Sequence, residues 1–202
     1  MNKNNRKDLL YRESFKLFLT KQFDGVSLND IEKATGMTRG AIFYYHKDKL
    51  DLFKGVVKHY FIDKQFNQLL INSEDLSLKE FIDRYVDTIA AQMKSFSSLI
   101  SEIGETSASK VYIIMGLKLR DYSEELNNDY TIIRNRVLGN WVSAFQRAVF
   151  KGEIQSHTDI ITMAEIFVAV YLGQSIWESF SSGLDPEHLR QKYHYLYSLI
   201  KK

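Results

Sequence analysis

Residues that break helices are almost absent from this chain. Pro186 is the one proline among 202 residues, and only ten glycines accompany it. Proline ends or kinks a helix and glycine weakens one, so a chain with so few of both permits long uninterrupted helices. Apolar residues make up 45% of the sequence, enough for a sizeable buried core. The sequence therefore predicts an all-α fold.

Several classes of chemistry are excluded or left without support. The chain has no cysteine, which removes disulfides, thiolate metal sites and cysteine nucleophiles. His59 and Asp63 lie four residues apart, but the spacing indicates no third metal ligand. The sequence shows no phosphate loop, dinucleotide fingerprint or nucleophile elbow. We expect no enzyme activity, no cofactor and no bound metal.

The sequence also predicts a soluble, cytoplasmic protein. The first eight residues are mostly polar or charged, unlike a secretory signal. The longest uncharged apolar stretch, 166–177, has 12 residues, whereas a transmembrane helix needs about 20. We therefore expect no membrane partner.

Charge is divided unevenly along the chain. Residues 1–58 contain 12 Lys/Arg and 7 Asp/Glu, a net charge of +5, and the remaining residues carry −3. Because partners respond to local charge rather than to the total, the N-terminal segment is the part that suits a polyanion.

The first 58 residues show a succession of helix start and stop signals. Apolar residues at mixed three- and four-residue spacings predict an amphipathic helix over 6–23. Ser27 and Asp30 form a capping-box pattern before a short helix over 28–35, which buries Leu28, Ile31 and Ala34. Gly36 supplies the exit from that helix.

A second short helix follows the glycine. Thr38 is its N-cap, and it extends over about 39–46 with Ile42 facing inward. Asp48 then caps a longer fourth helix that runs through Phe61. Two short helices joined by a glycine turn make the helix-turn-helix arrangement that places its second helix in a DNA major groove. A three-helix bundle with no role in DNA binding can show the same pattern, so both interpretations stand at this point.

The residues of this region resemble the TetR family of one-component bacterial transcriptional regulators. The resemblance rests on three segments, Val-Ser-Leu-Asn-Asp-Ile at 26–31, Ala-Thr-Gly-Met-Thr-Arg-Gly-Ala-Ile-Phe-Tyr-Tyr-His at 34–46 and Lys-Asp-Lys-Leu-Asp-Leu at 47–52. The chain departs from the usual family pattern at five positions, Gln22, Glu32, Ala41, Phe43 and His46. Ala41 and Phe43 lack hydroxyl groups that relatives commonly carry.

The resemblance implies a set of DNA-binding residues. Ser27 and Thr38 would meet the DNA backbone at helix N-termini, and Arg39 would read base edges, since arginine can bind guanine O6 and N7 together. Lys49 would anchor a phosphate. The predicted DNA-binding set is Ser27, Thr38, Arg39, Gly40, Phe43, Tyr44, Tyr45 and Lys49.

Beyond residue 58 the chain is predicted to be helical over 77–96, 99–104, 110–125, 131–151 and 159–182. The segment 166–172 is apolar on every side, and a helix of that kind must be covered all round. A second subunit would provide that cover. The resemblance agrees, and it implies a homodimer formed through the helices near 131–151 and 159–182.

The family's mechanism would be repression, in which a small-molecule effector releases the dimer from a palindromic operator. We expect residues 1–48 to form the DNA-binding domain and residues 49–202 to form the effector-binding and dimerisation domain. Size, apolar pattern and polar tips select the candidate effector-binding residues Met93, Phe96, Ile103, Tyr112, Met115, Trp141, Tyr171, Gln174 and Trp177. Ordinary core packing is the competing interpretation for each of them. The alternative for the whole chain is a helical small-molecule-binding or protein-interaction module that does not touch DNA.

Overall fold

The computed structural model describes the backbone of residues 3–66, 70–72, 74–104 and 107–202. Side chains are described for residues 5–63, 70–72, 74–104, 107–111, 113–116 and 121–202. Over these parts the chain forms helices and no strand, which confirms the predicted all-α class. The helices are α1 (Lys3–Gly25), α2 (Leu28–Thr35), α3 (Arg39–Phe43), α4 (Lys49–Val57), α5 (Leu78–Ser101), α6 (Ala108–Tyr122), α7 (Glu124–Phe150), α8 (Ile160–Ser179) and α9 (Pro186–Ile200).

Helices α1 to α4 enclose a small core of aromatic side chains. Helix α1 packs against both α2 and α4. The rings of Phe18 and Phe53 meet edge to face at 5.1 Å between centroids, and Phe23 lies 5.0 Å from Phe53. This packing joins α1 to α4, and α2 and α3 pack beside them.

Helix α4 does not continue as a regular α-helix. From Lys58 to Phe66 the backbone adopts the wider π-helical hydrogen-bond pattern, whereas the sequence predicted one long helix through Phe61. Apolar periodicity cannot distinguish the two over only 9 residues, because the two periods differ by less than one residue per turn. The π-helical segment contacts α7 and so connects α4 with the C-terminal helices.

The C-terminal helices surround a second aromatic core. Trp141 of α7 is fully buried, and its ring centroid lies 4.8 Å from Phe81, 4.8 Å from Tyr85 and 4.9 Å from Phe167. Helix α5 packs along α9, and α7 packs against α8. The body is thus a helical bundle whose centre is occupied by Trp141.

Some predicted details differ from the structure. Ala34 is exposed, and Thr35 takes the buried position, where its hydroxyl donates to Ile31 O at 2.7 Å. Helix α3 ends at Phe43, earlier than predicted. Of the separate helix predicted over 99–104, residues 99–101 belong to α5 and residues 102–104 form a turn.

Helix α9 was not predicted. Pro186 stands at its first turn, and the side chain of Asp185 caps it by accepting from Glu187 N at 2.8 Å. Proline is acceptable at this position because the first turn has no intrahelical acceptor for its missing N–H. The residue read as a helix breaker is therefore a helix start.

Helix α8 leaves a continuous apolar face uncovered within one chain. By length and composition alone it could cross a membrane, and 22% of its apolar window is buried within the chain. Its exposed large side chains are Ile161, Ile166, Leu172, Ile176 and Trp177. These side chains are open to solvent in the single chain.

Candidate nucleic-acid interface

Helix α2 begins with the predicted capping box. Asp30 N donates to Ser27 Oγ at 3.1 Å, and Ser27 N donates to Asp30 Oδ2 at 2.9 Å. Lys21 Nζ lies 2.7 Å from Asp30 Oδ1. The hydrogen bond from Lys21, followed by those from Ser27, holds the pKa of Asp30 well below its usual range. Asp30 therefore stays ionised and fixes α2 to the end of α1.

The turn between α2 and α3 has the conformation that the sequence predicted. Gly36 is left-handed, with φ 66° and ψ 13°, and its N–H donates to Glu32 O at 2.9 Å. Met37 N donates to the Thr35 hydroxyl at 3.2 Å. Ile31 and Ile42 are fully buried on the inner side. The turn thus fixes the angle between α2 and α3.

Helix α3 presents its outer face to solvent. Thr38 caps it by accepting from Ala41 N at 3.3 Å. Arg39 and Gly40 are exposed, and Tyr44 is 68% exposed. Tyr45 is half-buried and meets Tyr44 edge to face at 5.1 Å. Phe43 is also exposed. Its ring carries no polar atom, so the side chain can make apolar contacts but cannot form a hydrogen bond.

Arg39 is paired with a residue that the sequence marked as a departure from the family pattern. Its Nη2 atom lies 3.0 Å from Glu32 Oε2 across the turn. No role was predicted for Glu32 from the sequence. The signal that could have identified the pair was a carboxylate in α2, on the other side of the turn from the candidate base-reading arginine.

Lys49 is held within the domain. Its Nζ atom donates to Phe23 O and to Val26 O, each at 2.9 Å, and lies 4.3 Å from the centre of the Phe23 ring. An ammonium group has three donors, so one remains for a phosphate. Asp48 caps α4 as predicted, by accepting from Asp51 N at 2.7 Å. Lys49 therefore ties the α1–α2 connection to the start of α4.

His46 is part of the packing beneath α3. Its Nδ1 atom lies 3.0 Å from Asp51 Oδ2, and its ring is buried against Tyr11 at 5.5 Å between centroids. A Cβ atom at Gly55 would lie 2.8 Å from His46 Cε1. The departure from the family pattern at His46 is thus accommodated by the small residue opposite it.

The C-terminal body contains a cavity of about 320 Å³ among α5, α6, α7, α8 and the π-helical segment, the larger of the two cavities that candidate effector residues line. Three of the candidate effector residues, Met93, Phe96 and Tyr171, line it. Met115 lines a different cavity of about 120 Å³ beside α1. The side chain of Tyr112 lies outside the described residues.

The other candidate effector residues lie away from the larger cavity. Trp141 is in the aromatic core, and Ile103 is half-buried against the hydrophobic core. Gln174 is buried and donates to Glu178 Oε1 at 3.0 Å. Trp177 is 78% exposed on the outer face of α8. The apolar pattern could not separate these positions, because core, cavity and subunit faces all use large apolar side chains.

Several residues that line the cavity were not predicted. Phe61 belongs to the π-helical segment and Tyr130 to α7, while Gln92 and Ser175 provide polar atoms. The available signal was a polar residue at one position of an otherwise apolar helix stripe, as Gln92 is in α5. Among the described residues, no group of three or more His, Cys, Asp or Glu side chains is placed to hold a metal ion.

Comparisons with other proteins bear on both parts of the chain. Residues 10–56 match the family described as bacterial regulatory proteins, tetR family. No curated protein matches the chain significantly.

Solved structures of similar fold span nearly the whole chain. Reduced NemR of E. coli has a TM-score of 0.66 and 16% identity, covering 93% of this chain and 95% of its own. PfmR of Thermus thermophilus has a TM-score of 0.64 and 16% identity, with coverages of 93% and 96%. A Saccharomonospora viridis protein solved in complex with choline has a TM-score of 0.69 and 16% identity, with coverages of 99% and 100%.

The fold and the site define an all-helical protein with an N-terminal helix-turn-helix domain and a C-terminal helical body. Residues 10–56 are therefore similar to bacterial regulatory proteins of the tetR family, and the chain as a whole shares the fold of the solved structures above.

Proposed function

We propose that this protein is a repressor that binds a palindromic operator as a homodimer and is released by a small-molecule effector. The observation that carries the proposal is the outer face of α3, where Arg39, Gly40 and Tyr44 are exposed while Ile42 anchors the helix from below. The +5 charge of residues 1–58 supports a polyanionic partner on this side. Binding to DNA inside the cell implies a cytoplasmic location, and no enzyme activity is proposed.

The proposed DNA contacts divide by chemistry. Ser27 and Thr38 stand at the N-termini of α2 and α3, where hydroxyl and free N–H groups suit phosphates. Arg39 and Gly40 face the base edges. Phe43, Tyr44 and Tyr45 contact the sugar-phosphate backbone or thymine methyl groups, and Lys49 gives its remaining N–H to a phosphate.

We further propose that residues 1–48 act as the DNA-binding domain and residues 49–202 as the effector and dimerisation domain. Within the second domain, close to this boundary, two ion pairs connect α4 and its C-cap with α7. Lys54 Nζ lies 2.9 Å from Glu125 Oε2, and Lys58 Nζ lies 3.3 Å from Asp129 Oδ2. Tyr130, which lines the larger cavity, directly follows Asp129. A ligand that displaces Tyr130 would thus act on the helix that supports the DNA-binding domain.

The dimer is proposed to cover the exposed apolar face of α8, together with the neighbouring surface of α7. Ala169 and Gly173 lie exposed on this face, and a Cβ at Gly173 would meet nothing within 4 Å. Small residues let two helices approach closely. Glu165 is exposed on the same face, and a carboxylate there favours a protein partner over lipid.

Sedimentation velocity tests the dimer. The wild-type protein should sediment as a dimer, and Gly173→Glu should shift it to monomer because two charges would be buried opposite each other. Gly139→Glu, also at an open and exposed helical glycine but on α7, shows whether the α7 surface takes part. A wild-type monomer at all concentrations would contradict the proposal.

DNA binding is tested by fluorescence anisotropy with fragments from upstream of the protein's own gene. We expect affinity to fall steeply with salt, since released counterions drive phosphate contacts. Gly40→Leu is the sharpest variant, because a Cβ at Gly40 meets nothing within 4 Å in the free protein. It should keep the folded helix content but lose at least tenfold in DNA affinity. Salt-independent or absent binding would favour the alternative of a helical small-molecule-binding module.

A further inference from the structure

The larger cavity differs from the rest of the protein in its charge. Among the described residues that line it, none is Asp, Glu, Lys, Arg or His. A charged ligand would leave water without meeting an opposite charge, and burying an unpaired charge costs far more than burying an apolar group. The described lining therefore selects against anions, and it offers a cation no carboxylate but only the faces of aromatic rings.

Aromatic rings approach the cavity from four elements. Phe61 comes from the π-helical segment, Phe96 from α5, Tyr130 from α7 and Tyr171 from α8. The ring centroids of Phe61 and Tyr130 are 6.3 Å apart. Aromatic walls offer large contact areas and favour another ring at offset or edge-to-face positions. The volume of about 320 Å³ is at the low end of ligand pockets, which run from ~300 to 1,000 Å³.

Neutral polar groups occupy the same walls. Burial raises the pKa of Tyr171 to about 12, so its hydroxyl stays protonated at neutral pH. The Oγ atom of Ser175 is buried without a hydrogen-bond partner of normal geometry among the described residues. It lies close enough to Tyr171 to counter part of that rise in pKa. Gln92 adds an amide, so the walls can hold a neutral hydrogen-bonding group.

We propose that this cavity binds an uncharged, mainly aromatic molecule that carries at least one hydrogen-bonding group. This inference rests on the proposed effector-release function and names the chemical class of the effector. The absence of charge in the described lining, the four aromatic rings and the buried neutral hydroxyl groups of Tyr171 and Ser175 each point to that class.

A matched pair of fluorescent probes tests the charge requirement. N-phenyl-1-naphthylamine is neutral and has one N–H donor, and 1-anilinonaphthalene-8-sulfonate has the same skeleton with an added sulfonate. With the full-length protein we expect saturable binding of the neutral probe, at one site per chain, and at least tenfold weaker binding of the sulfonate. Choline, as a quaternary ammonium ion, should not displace the neutral probe. Equal or tighter binding of either ion would overturn the proposal.

A cavity-filling variant locates the probe. A Cβ at Gly116 lies 3.6 Å from Phe61 Cζ, an ordinary contact, so Gly116→Ala should keep most of the binding. Gly116→Leu places its side chain in the cavity and should reduce binding of the neutral probe at least tenfold. If Gly116→Leu does not fold by circular dichroism, Ala108→Leu fills the cavity from another part of its wall. Unchanged binding in a folded filling variant would place the probe elsewhere and overturn the proposal.

Both experiments are done without DNA, so they are independent of the operator. Neutral-probe binding that leaves DNA affinity unchanged would support the ligand class and contradict effector release. A protein that binds its operator but does not bind the neutral probe would contradict the ligand class alone.

Discussion

Arg39 and Glu32 are joined by an ion pair across the helix-turn-helix turn, with 3.0 Å between Nη2 and Oε2. Arg39 is about half exposed, so the pair is open to solvent on one side. Exposed pairs of this kind contribute about 0.2–1 kcal/mol. A guanidinium directed at Glu32 must exchange that partner before it can contact a guanine edge. We therefore infer that the pair opposes DNA binding by the free protein.

We predict that Glu32→Ala raises DNA affinity by roughly two- to tenfold, because it frees Arg39 and removes a negative charge near phosphates. In the Arg39→Ala background most of that gain should vanish. Fluorescence anisotropy over a double-mutant cycle measures the coupling. Glu124→Ala changes the net charge equally at the start of α7 and serves as the control. Weaker binding by Glu32→Ala would show that the pair positions Arg39 for DNA.

Gln22 is a second departure from the family pattern, and it has a strained backbone. Its φ of 59° and ψ of 169° lie in a region that glycine adopts far more readily. We predict that Gln22→Gly raises the free energy of unfolding by about 1 kcal/mol. Glycine removes the backbone strain of the folded state, and the greater entropy of glycine in the unfolded chain offsets part of that gain. Urea denaturation measures this change. Gln22→Ala keeps the strain, so a gain as large as that of glycine would contradict this explanation.

Lys49 combines a structural role with its proposed DNA contact. Removing its ammonium leaves the carbonyls of Phe23 and Val26 without their donor. We predict that Lys49→Met lowers the free energy of unfolding by about 2 kcal/mol, as charged hydrogen bonds of this type contribute. It should also lower DNA affinity for all sequences. Lys47→Met, at an exposed neighbouring lysine, should leave stability unchanged. Equal stability losses in the two variants would contradict the structural role of Lys49.

Asp83 connects α5 with α9 through His194 Nε2 at 2.8 Å and Arg190 Nη1 at 3.0 Å. Burial opposes its ionisation, but hydrogen bonds from Lys79, His194 and Arg190 lower the pKa of Asp83 to about 2. Because the folded pKa is depressed, the stabilisation is present above the unfolded pKa and is lost as pH falls toward 2. It amounts to about 2 kcal/mol at most.

We therefore predict that Asp83→Asn lowers stability at pH 7 and reduces the loss of stability between about pH 4 and pH 2. Urea titrations at a series of pH values test this. Asp75→Asn, at an exposed turn residue, is the control. If the stability of Asp83→Asn depended on pH as that of the wild type does, the network would not contribute to acid sensitivity.

Local signals in the sequence predicted much of the N-terminal domain. Ser27, Gly36 and Thr38 act within one or two turns of the chain, and each adopts the predicted cap or exit conformation. The pairing of Arg39 with Glu32 depends on the three-dimensional turn, so residue spacing alone did not indicate it. The backbone of Gln22 likewise depends on how α1 meets the rest of the domain.

The C-terminal body was less predictable. Trp141, Tyr171 and Trp177 have similar apolar surroundings in sequence, yet one lies in the core, one lines the cavity and one is exposed. Which apolar face meets which neighbour depends on helix packing across long sequence separations. The cavity is a residual space between five elements, and no single segment specifies it.

The central claim is that α3 reads DNA as one of a symmetric pair. Selection of binding sites from a random double-stranded DNA library, followed by sequencing, tests this most directly. The proposed symmetric dimer should select an inverted repeat. The centres of its two half-sites should lie about 10 base pairs apart, or a multiple of that distance. The Arg39→Ala protein should select a motif with relaxed preference at one base position of each half-site. No enriched motif, or the same motif from both proteins, would contradict the claim.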